Sequence, residues 1–301
     1  MNLIRDFIMA GRNIRTLALL FLVALVPACS VRSDDSPEWA EEDHLGQDGK
    51  YTLSSFESGS RARVHFSVYL PPGWAPDGTQ TYPLIVFLHG QGGDEHYFPR
   101  NIPASELNRW IEEGLVPPFV LVAPRGADRV GTVQWYHDAN VALLTSDAPD
   151  ELRAFCWRSF RAGGDPGKIS LHGHSRGASG GLYFALNHWG KFASVVANAF
   201  VSDYALDERQ AAATLNRDSI VESGIRLRMT IGTEDSYVLN QARTGSPELH
   251  EHLNALGIPH EYEVLHGATH GFSSLWNYER PDDMKSGLYE LLFHARAWAD
   301  R

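Results

Sequence analysis

The sequence predicts a mostly parallel β-sheet covered by helices on both faces. Three observations predict it. Short, continuous apolar runs with β-branched members, such as Pro83 to Leu88 (PLIVFL), suit strands buried on both faces. Helical-looking stretches separate these runs, and strand alternating with helix gives a parallel sheet. An alternating segment, Arg63 to Leu70, comes first and suits a half-buried antiparallel strand.

The elements follow in order. Pro71-Pro72-Gly73 ends the antiparallel strand. After PLIVFL comes a helix around Ala104 to Glu113, then a buried strand from Phe119 to Val122. Pro149 to Ala162 reads as a helix whose apolar face carries Leu152, Phe155 and Phe160. Lys168 to His172 reads as a strand and Ala178 to His188 as a helix. Ala193 to Ala197 and Leu227 to Ile231 are further strands, the second followed by a helix through about Leu256. His260 to Leu265 is the last strand and Met284 to Ala299 the last helix. No segment is long enough for a large cap domain, and Val201 to Gly224 is the one candidate for a small lid.

The expected catalytic domain spans 51–301. Ahead of it, Arg5, Arg12 and Arg15 precede an apolar run from Leu17 to Val26. A basic stretch followed by about ten apolar residues is the pattern of a secretory signal, here 1–28. The run is too short for a membrane span, which takes roughly 18 apolar residues or more. Val26-Pro27-Ala28-Cys29 resembles a bacterial lipobox, with Cys29 as the lipidated residue. An ordinary cleaved signal and an uncleaved anchor are the alternatives. Residues 29–50, rich in Asp and Glu, read as a tether. The expected localisation is the cell envelope or the exterior, with membrane contact only through the lipid.

Cysteine and charge narrow the chemistry. The chain has two cysteines, so lipidation of Cys29 leaves Cys156 as a lone thiol, expected buried and inert. A net charge of -11 argues against nucleic acid as a partner. His250 and His252 lie two apart on an expected helix and so face different ways, a poor pair of metal ligands. No metal motif is present, and no cofactor is expected.

In parallel sheets, sites lie at the carboxyl ends of the strands, so the loops after the apolar runs are the informative positions. After the strand 168–172 stands Gly173-His174-Ser175-Arg176-Gly177, a G-x-S-x-G sequence. Such a strand-to-helix turn lifts the serine hydroxyl above the sheet. A serine hydroxyl needs a base, and the base needs a group that fixes its tautomer. For this motif the chain order is serine, acid, histidine. The acid is expected at Asp235 in Gly232-Thr233-Glu234-Asp235, with Glu234 its rival and a helix N-cap its plainer role. The base is expected at His270 in His266-Gly267-Ala268-Thr269-His270-Gly271, with His266 its rival. An oxyanion hole is expected from the N–H of Arg176 and from the loop His89-Gly90-Gln91-Gly92-Gly93, where Gln91 comes first and Gly92 next. His89 is expected to brace that loop.

Together these residues resemble the α/β-hydrolase superfamily. Within it, YPLIVFLHGQGG, VLVAPRG, WYHD at Trp135 to Asp138, the serine turn, GTED and HGATHG resemble esterases related to esterase D, feruloyl and acetylxylan esterases and polyhydroxybutyrate depolymerases. The resemblance runs from about Val64 to the C-terminus. It implies a triad of Ser175, Asp235 and His270, and a substrate pocket near Trp135 and Tyr136, for which ordinary core or surface packing is the alternative; His174 is a further substrate-binding candidate. Arg176 departs from these relatives, which commonly carry a hydrophobic residue after the serine, and Ala178 stands where a glycine is frequent. The expected activity is hydrolysis of a small or polymer-linked carboxylic ester through an acyl-enzyme. A serine peptidase of the prolyl-oligopeptidase type is the alternative enzyme. A non-catalytic envelope binding protein is the third reading, and it would lack a triad member.

Overall fold

The computed structural model describes residues 49–126, 135–201, 205–239 and 245–300. The expected signal, Cys29 and the tether up to residue 48 lie outside them. Eight strands form one sheet: β1 (Tyr51–Ser58), β2 (Ala62–Tyr69), β3 (Leu84–Leu88), β4 (Val120–Pro124), β5 (Ile169–His174), β6 (Ser194–Asn198), β7 (Arg226–Gly232) and β8 (Glu261–Leu265). Their order is β1-β2-β4-β3-β5-β6-β7-β8. β1, β2 and β4 pair antiparallel, and every pairing from β4 through β3 to β8 is parallel. The fold is the α/β-hydrolase fold.

The sheet divides two cores by the two-residue period of its strands. In β3, Leu84, Val86 and Leu88 face one core, while Ile85 and Phe87 face the other. The first core takes in Leu182 and Ala185 of the helix Arg176–Asn187. The second takes in Leu291 and Trp298 of the helix Ser286–Ala299. This two-sided burial is why the central strands read as unbroken apolar runs. The edge strand β8 is only partly buried. Its Glu261 and Glu263 instead pair with Arg228 on β7, which keeps the edge charged.

The expected strands and helices fall within a few residues of those observed. β1 was not anticipated: its sequence, YTLSSFES, is polar and half exposed, and it is held by antiparallel pairing with β2. Helices Tyr97–Asn101, Asp138–Thr145 and Phe272–Trp276 were also not anticipated; the first and last are single turns, too short to show a period. The lid candidate contains two helices, Leu206–Leu215 and Arg217–Ser223, with Leu206, Ala213 and Ile220 buried in the first core. It is part of the body, not a separate cap. Cys156 is buried in the helix Leu152–Phe160, and burial pushes its thiol up, as expected for an inert thiol.

The topology chooses the site. From β3 the chain steps to β4 on one side, and β5 lies on the other, so the direction of winding reverses between β3 and β5. Leu88 at the end of β3 stands opposite Gly173 at the end of β5. The glycine-rich loop and the serine turn are therefore neighbours. Their approach leaves no space: a Cβ at Gly177 would lie 1.7 Å from the Leu88 carbonyl oxygen, and one at Gly173 would lie 2.2 Å from the Gly177 carbonyl oxygen. We expect Gly177→Ala to lose about 3 kcal/mol or more of unfolding free energy in urea melts. Gly190, where an added Cβ meets nothing within 4 Å, serves as the control, and Gly190→Ala should stay within about 1 kcal/mol of the parent.

Candidate active site

Ser175 sits at the N-cap of the helix Arg176–Asn187 with φ 54° and ψ −113°. A non-glycine residue here is strained by about 1–3 kcal/mol, so neighbours must hold it. The Ser175 N–H donates to the Asn198 carbonyl at 2.8 Å, and its own carbonyl accepts from the Ser179 N–H at 3.0 Å. Asn198 is fixed in turn. Its side-chain oxygen accepts from the Thr230 hydroxyl at 2.5 Å, and its amide donates to the fully buried Glu290 at 3.1 Å. The strained turn thus hangs from a buried polar bridge joining β6, β7 and the last helix.

The Ser175 hydroxyl lies 3.0 Å from His270 Nε2, and His270 Nδ1 lies 2.7 Å from Asp235 Oδ2. A carboxylate accepts, so Nδ1 carries the proton and Nε2 is left to accept from the serine. Asp235 is fully buried, and its other oxygen accepts the Tyr237 N–H at 2.9 Å. The carboxylate therefore holds the imidazole and starts the helix Ser236–Leu239 as well. The rivals, Glu234 and His266, are both exposed.

The acid and histidine loops are laced together. A Cβ on Gly232 would lie 2.0 Å from the Ala268 carbonyl oxygen, so this position must be glycine. The Glu234 N–H donates to that same carbonyl at 3.0 Å, the Thr233 N–H to the Leu265 carbonyl at 3.0 Å, and the Gly267 N–H to the Thr233 hydroxyl at 2.8 Å. These bonds give the Gly-Thr-x-Asp pattern its physical content.

Trp135 behaves differently from expectation, and His174 carries a further role. His174 lines the cleft, but both ring nitrogens are occupied. Nε2 donates to the His270 carbonyl at 2.7 Å, so Nδ1 accepts from the Tyr97 hydroxyl at 3.0 Å. His174 is a brace for the histidine loop, and burial lowers its pKa to about 4. Trp135 is fully buried in the first core beside Gly180, and its indole N–H donates to the His89 carbonyl at 2.9 Å. It packs under the glycine-rich loop and leaves no surface for substrate. Tyr136 is half-buried, with the Arg209 guanidinium 5.1 Å from its ring centroid. His89 does brace its loop: Nδ1 donates to the Gly90 carbonyl, and Nε2 accepts the Gly126 N–H.

Ser175 and His270 open into a cleft of about 290 Å³. Gly90, Gln91 and Arg176 line it, so the two expected oxyanion donors border the same space as the serine. Sequence reasoning missed Tyr97, Tyr237 and Ser179 as lining residues. Only Ser179 carried a signal, since it falls one helical turn after Ser175. A serine bonded to an imidazole that a buried carboxylate orients is an arrangement suited to acyl transfer.

Comparison with known proteins agrees. Residues 59–284 match the family described as "Putative esterase". Among solved structures, a ferulic acid esterase superposes with a TM-score of 0.65 at 16% identity, covering 83% of this chain and 98% of that one. A ferulic acid esterase from the anaerobic fungus Anaeromyces mucronatus gives 0.62 at 16%, covering 84% and 92%. An S-formylglutathione hydrolase from Agrobacterium tumefaciens gives 0.59 at 20%, covering 82% and 95%. At such identities these likenesses speak for the fold.

The buried imidazole carries a pH consequence. His174 has an ordinary pKa of 6.5 when unfolded and about 4 when folded, so the unfolded chain takes up the proton first. Burial lowers His89 and His294 as well, with the same sign. Stability should therefore fall as pH drops from about 6.5 to about 4. Urea melts across that interval should show a shallower loss for His174→Asn than for the parent, and an equal slope would contradict the assignment.

Proposed function

The chain belongs to this esterase family and is a serine carboxylic ester hydrolase, and from that premise we propose that it works through a Ser175-His270-Asp235 triad and an acyl-enzyme. The hydrogen-bonded run from Ser175 to buried Asp235, within one open cleft, is the observation that carries this reading. Ser175 Oγ attacks the ester carbonyl while His270 Nε2 takes its proton. The tetrahedral oxyanion is held by the backbone N–H groups of Gln91 and Arg176. Collapse expels the alcohol, which takes the proton back from His270. A water molecule, activated by the same imidazole, then releases the acid. Asp235 keeps Nδ1 protonated and steadies the imidazolium.

The substrate is proposed to be a small or polymer-linked ester. The feruloyl esterase and S-formylglutathione hydrolase likenesses support an ester or thioester carbonyl over an amide. The N-terminal pattern supports export, with 1–28 as the signal, Cys29 as the lipid attachment point and the acidic residues after it as a tether. Among the described residues, no helix is long and apolar enough to cross a membrane.

Ser175→Ala should abolish turnover of short p-nitrophenyl esters with the melting curve kept, and a fluorophosphonate probe should label Ser175 alone. Persistent turnover in this variant would reassign the nucleophile. Asp235→Asn should lower kcat by about 10³–10⁴ through loss of the correct imidazole tautomer. Cys29→Ser should move the protein from the membrane fraction to the soluble one, and retention in the membrane would argue for an uncleaved anchor.

A further inference from the structure

One buried cation stands beside the cleft without a role in the chemistry above. Arg209, on the helix Leu206–Leu215, is 1% exposed. Burial of a guanidinium costs several kcal/mol unless it is compensated. Its ring-face contacts are Tyr136 at 5.1 Å and Tyr183 at 5.2 Å, which partly stabilise the charge. The carboxylate beside it, Glu208, is 3.5 Å away and 66% exposed, so solvent screens it. Among the described residues, two further donations from Arg209 reach Ser179. Nε donates to the Ser179 carbonyl at 3.2 Å, and Nη2 donates to the Ser179 hydroxyl at 3.3 Å.

Ser179 lines the cleft one helical turn from Ser175, and its hydroxyl oxygen already accepts from the guanidinium. Its own proton must therefore point elsewhere, and the neighbouring cation makes that O–H a stronger donor. Val201 and Ala205 add apolar surface to the same cleft. His270 and Tyr237, whose ring centroids are 4.5 Å apart, line the same cleft. His270 must protonate the departing alcohol, so the leaving group lies beside His270. The Ser179 side is left for the acyl chain.

We propose that Ser179, backed by Arg209, is an acyl-recognition subsite that selects esters whose acyl chain carries a hydrogen-bond acceptor. The turn between Ser175 and Ser179 rises by about 6 Å, which sets the acceptor about four bonds beyond the reacting carbonyl carbon. The alkyl part of that chain rests on Val201 and Ala205. This subsite rests on Ser175 being the nucleophile.

The test compares kcat/KM for p-nitrophenyl 4-oxopentanoate and p-nitrophenyl pentanoate. The two share a leaving group and a chain length and differ in one acceptor. The parent enzyme should favour the 4-oxo ester by about tenfold, the worth of one good hydrogen bond. Ser179→Ala should bring that ratio close to one. Alanine is favoured at a helix interior, so the variant should fold. General damage would lower both esters together and leave the ratio as it was. An unchanged ratio in Ser179→Ala, or no preference in the parent, overturns the subsite. Failure of the parent to hydrolyse either ester, or turnover that survives Ser175→Ala, would instead overturn the proposed nucleophile.

Discussion

Everything at this site depends on holding Ser175 in a backbone conformation that an L-residue resists. Its φ of 54° places the hydroxyl above the sheet, where a relaxed helix start would not. The conformation persists because the surroundings over-determine it. The Asn198 carbonyl takes its N–H, Gly173 and Gly177 let β3 and β5 close around the turn, and Glu290 and Thr230 fix Asn198. None of these groups touches the cleft. They are the reason a serine at the end of a strand is presented to the cleft and not folded back into the sheet.

The same logic extends to the other two groups. The β7 and β8 loops carry Asp235 and His270, and they could reach Ser175 only if they approached one another closely. Gly232 against the Ala268 carbonyl makes that approach possible, and Thr233 fastens it. His174, next in chain to Ser175, then donates to the His270 carbonyl. Serine turn and histidine loop are thereby tied directly, through a neutral imidazole. Placement of the three groups is a property of backbone packing at the carboxyl edge of the sheet, and the side chains are its last step.

Much of this was legible in the sequence. PLIVFL, the serine turn, GTED and HGATHG each stood after an apolar run, and position after a strand end is what the parallel fold reserves for chemistry. Asp235 could be preferred to Glu234 from the Gly-Thr-x-Asp arrangement, and His270 to His266 because its loop carries it farther from the strand end. What escaped was set by tertiary packing. Trp135 looked like a pocket residue because an exposed and a buried aromatic read alike in one dimension. The bracing role of His174 went unread because nothing nearby in the sequence announces Tyr97 as its partner. Glu290 and Asn198 lie 92 residues apart, and they meet because the last helix packs against the end of β6. β1 was invisible because its partner β2, not its own composition, makes it a strand.

The account's central claim is that the ester carbonyl is transferred to Ser175 before water releases it. The most direct measurement is intact-protein and peptide mass spectrometry after rapid acid quench of the enzyme with a p-nitrophenyl ester. The account predicts a single added acyl mass, carried by the peptide that contains Ser175. Acyl mass on any other residue, or burst release of nitrophenol with no acylated protein, would contradict it.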